Sequence, residues 1–488
     1  MESSAESSPY HLKVPAGDES APGHGRWFQG ALFRKTGIDQ AVGYAVISRI
    51  WQLLTGPMTQ LLIVYSFSSA TQDYYYAFSN MLGMQVFVEL GLHVVLISVS
   101  SHEWSKLSLH DGRIVGDANA RSRLVSLGRK MLWWYGVAAV IFAAAITVSG
   151  IYFFDSKAAA GSATQTRESV SWMLPWMALV LVNSLQLPLL PLTAILEGCN
   201  QLAVMNRIRF FQALSGTFVV WFAIFKGFGL WALVASALVR LGYESYLVGF
   251  RYRSFFEVFR TPSQQDQVDW KVEILPLQWR IAVQGILLWF ANSLPLLFVF
   301  RYRPEGEAAQ LGMTWMILTG LQGASLAWIE TRRPAFGGLI AHKRYAELDR
   351  LFFRQTRLSM TAMTVAVAGF CSVVWWLGTR DEWLFQRLSG RMLPIEATLL
   401  LAAAMVLMQF ALCTNLYVRA HKRDPFLIAS IISSLTVATL QVWFGRYFGN
   451  TGVALGYLLG VGCVQVPLWT LIWQRTRKEW HGIEGHHD

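Results

Sequence analysis

MLWWYGVAAVIFAAAITVSGIYFF, residues 131–154, is a run of 24 residues without one charged side chain, entered from Arg129-Lys130 and left at Asp155. Wound as a helix it is about 36 Å long, enough to cross the roughly 30 Å hydrocarbon layer of a bilayer. A buried strand is much shorter, and a soluble helix of this length presents a charged face that this run lacks.

Eleven further apolar runs are found on either side of it, at about 44–66, 75–100, 170–195, 205–225, 228–249, 281–300, 307–329, 358–378, 394–418, 425–445 and 451–474. The composition agrees, with 54% hydrophobic and only 15% charged residues over 488 positions, against about 25% charged in soluble domains. A secreted disulfide scaffold, a disordered chain and a nucleic-acid-binding domain are thereby excluded. The expected fold class is an all-α polytopic membrane protein of about twelve transmembrane helices.

Basic residues orient the runs. Of the 41 Lys and Arg, 30 fall in one alternating set of tails and connections, nine in the other, and Arg49 and Arg240 within runs. Cytoplasmic loops carry the excess of Lys and Arg, so both termini are expected in the cytoplasm. The net charge of +11 is therefore read as topology rather than as a nucleic-acid footprint. Residues 1–25 read as a polar cytoplasmic tail with no apolar run of the signal-peptide kind. Residues 26–43 read as a short interfacial helix, with Trp27, Phe28, Leu32 and Phe33 set among Arg26, Arg34 and Lys35.

The two longest cytoplasmic connections, 101–130 and 330–357, each follow the second run of a group of six. At an offset of 227, Arg123-Leu124 falls on Arg350-Leu351 and Lys130 on Arg357. Short acidic turns, Gln72-Asp73 and Glu305 to Glu307, open the second run of each group. Two six-helix lobes follow, 44–250 and 281–475. A cytoplasmic connection, 251–280, joins them through a polar middle of Pro262, Gln264, Gln265 and Asp266, and 476–488 forms the closing tail. Repeats of this kind place a substrate path between the halves.

No catalytic constellation appears: there is no HExxH, no Walker A loop, no GxSxG with plausible triad partners and no GxGxxG opening a helix after a strand. An enzyme is not expected, nor a cofactor. The four cysteines form no CxxC or Cys/His cluster and read as small apolar fillers. His481, His486 and His487 read as part of a polar tail.

Charges inside spans are costly, about 2.5–3.5 kcal/mol each at a helix centre, and so carry the most information. Glu89 lies midway along the second run, with His93 four residues on. On an unbroken helix the two share a face, where they exchange a proton, hold a coupling cation or simply brace the bundle. Arg49 opens the first run and Arg280 the seventh. Facing one another across a cleft they grip an anionic headgroup, since guanidinium binds phosphate oxygens bidentately; otherwise they snorkel to the membrane surface. Arg240 and Glu244, also four apart, are expected to pair with each other. Gly452, Gly456 and Gly460 form a stripe for close helix packing. Gly56-Pro57, and Gly285 with Pro295, are breakers that read as hinges or tolerated kinks.

The run Ser48-Arg49-Ile50-Trp51-Gln52-Leu53-Leu54-Thr55-Gly56-Pro57 resembles the first span of bacterial polysaccharide flippases, the Wzx-type members of the multidrug/oligosaccharidyl-lipid/polysaccharide (MOP) exporter superfamily. So does the stretch from Gln72-Asp73-Tyr74-Tyr75-Tyr76 through Phe87-Val88-Glu89-Leu90-Gly91 to Ser101-His102-Glu103. Leu196-Glu197-Gly198 before Asn206-Arg207, and Tyr417-Val418-Arg419-Ala420-His421-Lys422-Arg423, resemble that family's connections after spans four and ten. The resemblance covers about 44–475, through degenerate motifs. It implies two lobes around a central cavity, working by alternating access on an ion gradient or potential. It also implies a polyprenyl-diphosphate-linked oligosaccharide as cargo, flipped across the bacterial inner membrane for polysaccharide or O-antigen export. Membrane lipids, and a polysaccharide polymerase and glycosyltransferases, are the partners such a role implies.

For that cargo Arg49 and Arg280 are the candidate cations for the diphosphate. Gln52, Gln85, Gln284 and Asn292, with Thr55, Gln60, Ser293 and Gln322, are candidates to line the glycan cavity, and Glu89 and His93 to couple an ion. Each polar residue has a plainer reading as an interhelical hydrogen bond, worth about 0.6 kcal/mol. The alternatives are a multidrug or cation exporter, or a lipid II flippase, of the same fold. A membrane polymerase or ligase is disfavoured by outer connections no longer than about 15 residues.

Overall fold

The computed structural model describes residues 40–161, 170–260, 268–421 and 425–482. The expected interfacial helix (apart from 40–43), the polar middle of the connection and the tail histidines His486 and His487 lie outside these residues.

The first lobe comprises α1 (Gln40–Ser66), α2 (Ser69–Glu89), α3 (Leu92–Trp104), a hairpin of β1 (Leu107–His110) and β2 (Arg113–Gly116), α4 (Ala118–Gly161), α5 (Met173–Gly198), α6 (Leu202–Phe225), α7 (Trp231–Tyr246) and the short α8 (Arg253–Glu257). The second comprises α9 (Leu275–Tyr302), α10 (Glu307–Glu330), α11 (Arg333–Ala341), α12 (Tyr345–Gly378), α13 (Trp383–Ser389), α14 (Ile395–Ala420), α15 (Leu427–Gly460) and α16 (Val466–Gly482). Each apolar run falls on helix, and 131–154 is the body of α4. Seven described helices are long and apolar enough to cross a membrane, or eight if α2 and α3, bent by 46°, are taken as one span. In that number Leu427–Trp480 counts once. Yet the chain doubles back at Gly449, whose backbone (φ 59°, ψ −141°) leaves the helix. The glycine stripe closes this hairpin: a Cβ on Gly452 would lie 2.1 Å from the Phe444 carbonyl oxygen, and one on Gly456 2.5 Å from that of Leu440. Only glycine allows the two arms so near.

Packing within the lobes repeats. In the first, α1 packs on α6, α4 on α5, α3 on α5 and α7 on α5; in the second, α9 packs on α15, α12 on α14, α10 on α14 and α16 on α14. The long helices α4 and α12 begin at Ala118 and Tyr345, separated by the same 227 residues as the basic stretches. The lobes meet where α2 packs against α9 and α10. There an aromatic knot crosses the seam, with Phe154 between Phe78 (4.9 Å), Trp176 (5.1 Å) and Phe300 of the second lobe (5.6 Å).

The all-α expectation needs one amendment. Asp111 (φ 49°) and Gly112 (φ 76°) form the two-residue left-handed turn of a hairpin between α3 and α4. Asp-Gly between alternating segments is a strong hairpin signal. Its apolar face, Leu107 and Ile114, packs with Leu124, Leu196, Met205 and Phe255 into a small core beside the bundle. Arg123 at the base of α4 holds Glu103 at 2.9 Å and Glu273 at 2.5 Å, and Lys130 donates to the Val268 carbonyl at 3.2 Å. The chain entering the second lobe is thus anchored on the first. The Glu103 hydrogen bond raises the Arg123 pKa above its ordinary value.

Candidate functional site: a polar cavity in the first lobe

Between α1, α2, α5, α6 and α7 lies an open cavity of about 990 Å³, at the upper end of the range for small-ligand sites. About half of its wall is polar. Five amides line it (Gln52, Asn183, Gln186, Asn206 and Gln212), together with three guanidiniums (Arg49, Arg209 and Arg240). These side chains lie on helical stripes: Asn206, Arg209 and Gln212 on α6, and Ser236, Arg240 and Glu244 on α7, at spacings of three and four that keep one face.

Each arginine is held by a carboxylate. Arg240 Nε donates to Glu244 Oε1 at 3.2 Å, and Gln186 Nε2 to Glu244 Oε2 at 3.0 Å, so the expected Arg240–Glu244 pair is present. Arg209 donates to Glu197, which also stands 4.0 Å from His93 Nε2. Arg49 Nη1 reaches across the seam to Glu330 Oε2 at 3.0 Å, an exposed pair at the end of α10. The wall is therefore amphoteric, with guanidiniums oriented by acids and amides between them. Indole N–H groups fasten α1 to α6: Trp221 donates to Thr59 at 2.8 Å and Trp51 to Thr217 at 3.3 Å.

Of the residues singled out from sequence, Arg49, Gln52, Glu89 and His93 line this cavity, and Gln85 donates to the Glu89 carboxylate beside it. Glu89 and His93 form no ion pair with each other, though both face the cavity and stand near enough to interact electrostatically. Leu90 (φ 48°) and Gly91 (φ 70°) are left-handed and break the helix between them, so His93 turns to Glu197. The break is built in: a Cβ on Gly91 would lie 2.4 Å from Ile281 Cγ2 of α9. Arg49 is engaged by Glu330, while Arg280 is exposed over the Trp279 ring at 5.7 Å and is not among the residues lining this cavity.

The other candidates divide. Asn292 lines a smaller crevice of about 230 Å³ at the seam, with Tyr75, Ser79, Asn80 and Thr319. Gln284 accepts from Arg419 at 3.1 Å within the second lobe. Thr55 donates to the Trp51 carbonyl, Gln60 joins Tyr76 to Met316, and Gln322 donates to the Met405 carbonyl. Gln60 and Gln322 take the plainer interhelical role, and Thr55 bonds within its own helix.

The seam is clasped at the opposite end from Arg49. Asp73, 1% exposed, accepts the backbone N–H of Gly306 at 2.8 Å and of Ala309 at 2.6 Å, capping α10. Arg387 donates to the carbonyls of Val64 and Tyr65 at 3.0 Å, and Arg391 to that of Phe67 at 3.0 Å. An acid thus meets a helix N-terminus and two bases a helix C-terminus, the favourable senses of both dipoles. Arg209, Asn183 and Gln186 escaped the sequence reading, and Arg240 entered it only as the partner of Glu244, although polar side chains three and four apart in apolar runs are a visible signal. Among the described residues no cluster of His, Cys, Asp and Glu is suited to a metal ion.

No family model matches the chain, and no curated protein matches it by sequence. Solved structures do match. An inward-facing multidrug resistance MATE family transporter of the MOP superfamily aligns over 91% of this chain and 99% of its own, at 13% identity and a TM-score of 0.59. The lipid II flippase MurJ, in an inward closed conformation, aligns over 89% and 87%, at 13% identity and 0.55. A MOP superfamily transporter from Pyrococcus furiosus, described with reverse polarity of its binding pocket, aligns over 90% and 96%, at 15% identity and 0.50. Likeness at such low identity is a likeness of architecture: the chain has the fold seen in MOP superfamily transporters.

Proposed function

We propose that this protein is a multi-pass transporter of the bacterial plasma membrane, with twelve spans and cytoplasmic termini. It moves a polyprenyl-diphosphate-linked oligosaccharide between leaflets by alternating access of its two lobes. The observation that carries the reading is the cavity of about 990 Å³ inside one lobe of an apolar bundle, with amides, guanidiniums and carboxylates set among its apolar residues. Amides, guanidiniums and carboxylates on one wall suit a hydroxyl-rich glycan, whose groups both donate and accept hydrogen bonds. Arg49, Arg209 and Arg240 suit its diphosphate, for which their present carboxylate partners are exchangeable. The basic-residue asymmetry supports the orientation, and with it the clasp of Asp73, Arg387 and Arg391 closes the outer end while Arg49 lies at the inner one. Glu89, on the cavity wall, is the proposed coupling group. The glycosyltransferases that build such a cargo, and the polymerase that uses it, are the proposed functional neighbours.

Mass spectrometry of lipids retained by the protein purified in mild detergent tests this reading. Polyprenyl-diphosphate glycans enriched over total membrane lipid are expected. Retention of ordinary phospholipid alone, together with saturable binding of cationic dyes, would favour a multidrug exporter.

A further inference from the structure

The α6–α7 pair that walls the cavity has a second, outward crevice. It holds about 300 Å³ and is lined by Val204, Arg207 and Phe211 of α6 and by Tyr243, Tyr246 and Arg251 at the end of α7. α6 and α7 pack along one another, and the lining residues come from the first turns of one and the last turns of the other. The crevice therefore runs about 10 Å along the start of α6. Arg207 follows Asn206 and precedes Arg209 by two, so it flanks the cavity stripe.

The lining has two characters. Arg207 and Arg251 form no ion pair with a carboxylate among the described residues, unlike the three cavity arginines, and Arg251 lies 5.7 Å from the Tyr252 ring centroid. A π turn, Leu247–Arg251, closed by the Tyr252 N–H on the Leu247 carbonyl at 2.9 Å, carries Arg251. Such widened turns gather at functional places. Around these cations the wall is aromatic and open to the surroundings: Phe211 is 44% and Tyr246 55% exposed. In a bundle read as membrane-embedded, those rings meet acyl chains and headgroups.

We propose that this crevice binds an anionic membrane phospholipid, with Arg207 and Arg251 on its headgroup phosphate and Phe211, Tyr243 and Tyr246 against its acyl chains. Two guanidiniums without carboxylate partners carry a net positive charge that a zwitterionic headgroup does not match. Paired apolar and cationic halves fit an amphiphile better than a free anion. The site is separate from the transport cavity and needs only that the chain lie in a bilayer, so it stands whichever cargo the cavity takes.

Delipidated protein in detergent is titrated with short-chain phosphatidylglycerol and phosphatidylcholine, and bound lipid is counted by native mass spectrometry. Wild-type protein is expected to bind phosphatidylglycerol at about tenfold lower concentration than phosphatidylcholine. R207Q/R251Q should lose that preference, and R207K/R251K should keep part of it. R113Q/R121Q, which removes the same charge from the β2–α4 region, should keep all of it. Millimolar inorganic phosphate should not displace the lipid. Retained preference in R207Q/R251Q, equal loss in R113Q/R121Q, or displacement by phosphate would each overturn the proposal; circular dichroism of the variants shows that they are folded.

Discussion

Asp73, buried at the start of α2, accepts the backbone N–H of Ala309 in α10 at 2.6 Å, so one lobe supplies the cap that a helix of the other lacks. The α10 N-cap position is Gly306, which has no side chain of its own to offer. Both acidic turns read in the sequence are found here, the first capping the helix that the second opens. The proposed alternating-access cycle has to break this contact whenever the clasped end opens.

Asp73→Ala should therefore destabilise the protein and favour the open state, leaving two helix N–H groups without their acceptor. The loss should be about 1–3 kcal/mol, read as a lower melting temperature. Asp73→Asn keeps an acceptor oxygen and should lose less. Spin labels at Ser171 and Asp381, exposed on the two lobes, should show a longer-distance population in Asp73→Ala. An unchanged distance distribution would mean that the cap is not part of a gate.

Arg387 and Arg391 should act in the same direction. Replacing both with Ala frees the carbonyls of Val64, Tyr65 and Phe67 at the end of α1. The same label pair should then shift as in Asp73→Ala. A combined variant no more open than either parent would show that the acid and the bases hold one common closure.

The basic-residue count predicts which ends face the cytoplasm. In a cysteine-free background, single cysteines at Asp381 and Ala346, both exposed, should respond oppositely to an impermeant maleimide added outside cells. Labelling of position 381 and protection of 346 are expected; the reverse pattern inverts the topology and makes the clasped end cytoplasmic.

Much of this architecture was legible. The uncharged run 131–154 gave α4, the 227-residue offset recurs in the starts of α4 and α12, and the glycine stripe of 452, 456 and 460 packs as read. Contacts across the seam were not legible, because Asp73 and Gly306 stand 233 positions apart and nothing local to either marks the other. Spacing alone assumes an unbroken helix from Glu89 to His93; both do face the cavity, but Leu90 and Gly91 break the helix between them and His93 stands against Glu197. The hairpin at Asp111-Gly112 lies within a connection that an all-α reading leaves without strands, though its turn residues announce it. Arg280 resembled Arg49 by position in the repeat, but the cavity belongs to the first lobe and the repeat partner is left outside.

That difference yields a prediction about the two arginines. Arg49→Ala should reduce transport at least tenfold, with Arg49→Lys partly restoring it, since an ammonium lacks the guanidinium fork. Arg280→Ala should leave transport within about twofold of wild type, in keeping with an exposed side chain over Trp279. Equal loss from both would return the diphosphate to a site between the lobes.

Glu89 is the test of coupling. Glu89→Gln keeps the hydrogen-bonding shape toward Gln85 while removing the charge that a proton or cation answers. Transport should become independent of an imposed gradient while substrate retention persists. Lower thermal stability with intact gradient dependence would instead assign Glu89 to bracing α2.

The measurement that bears most directly on the whole account is transport through the first-lobe cavity itself. Protein reconstituted into vesicles loaded with a polyprenyl-diphosphate oligosaccharide is assayed for lectin access to the glycan on the outer leaflet. A cysteine at Ser236, on the cavity wall, is left free or blocked with a bulky maleimide in a cysteine-free background. The account predicts that the free variant exposes the glycan and that the blocked one does not. Glycan exposure at equal rates with and without the block, or exposure no faster than in protein-free vesicles, would contradict it.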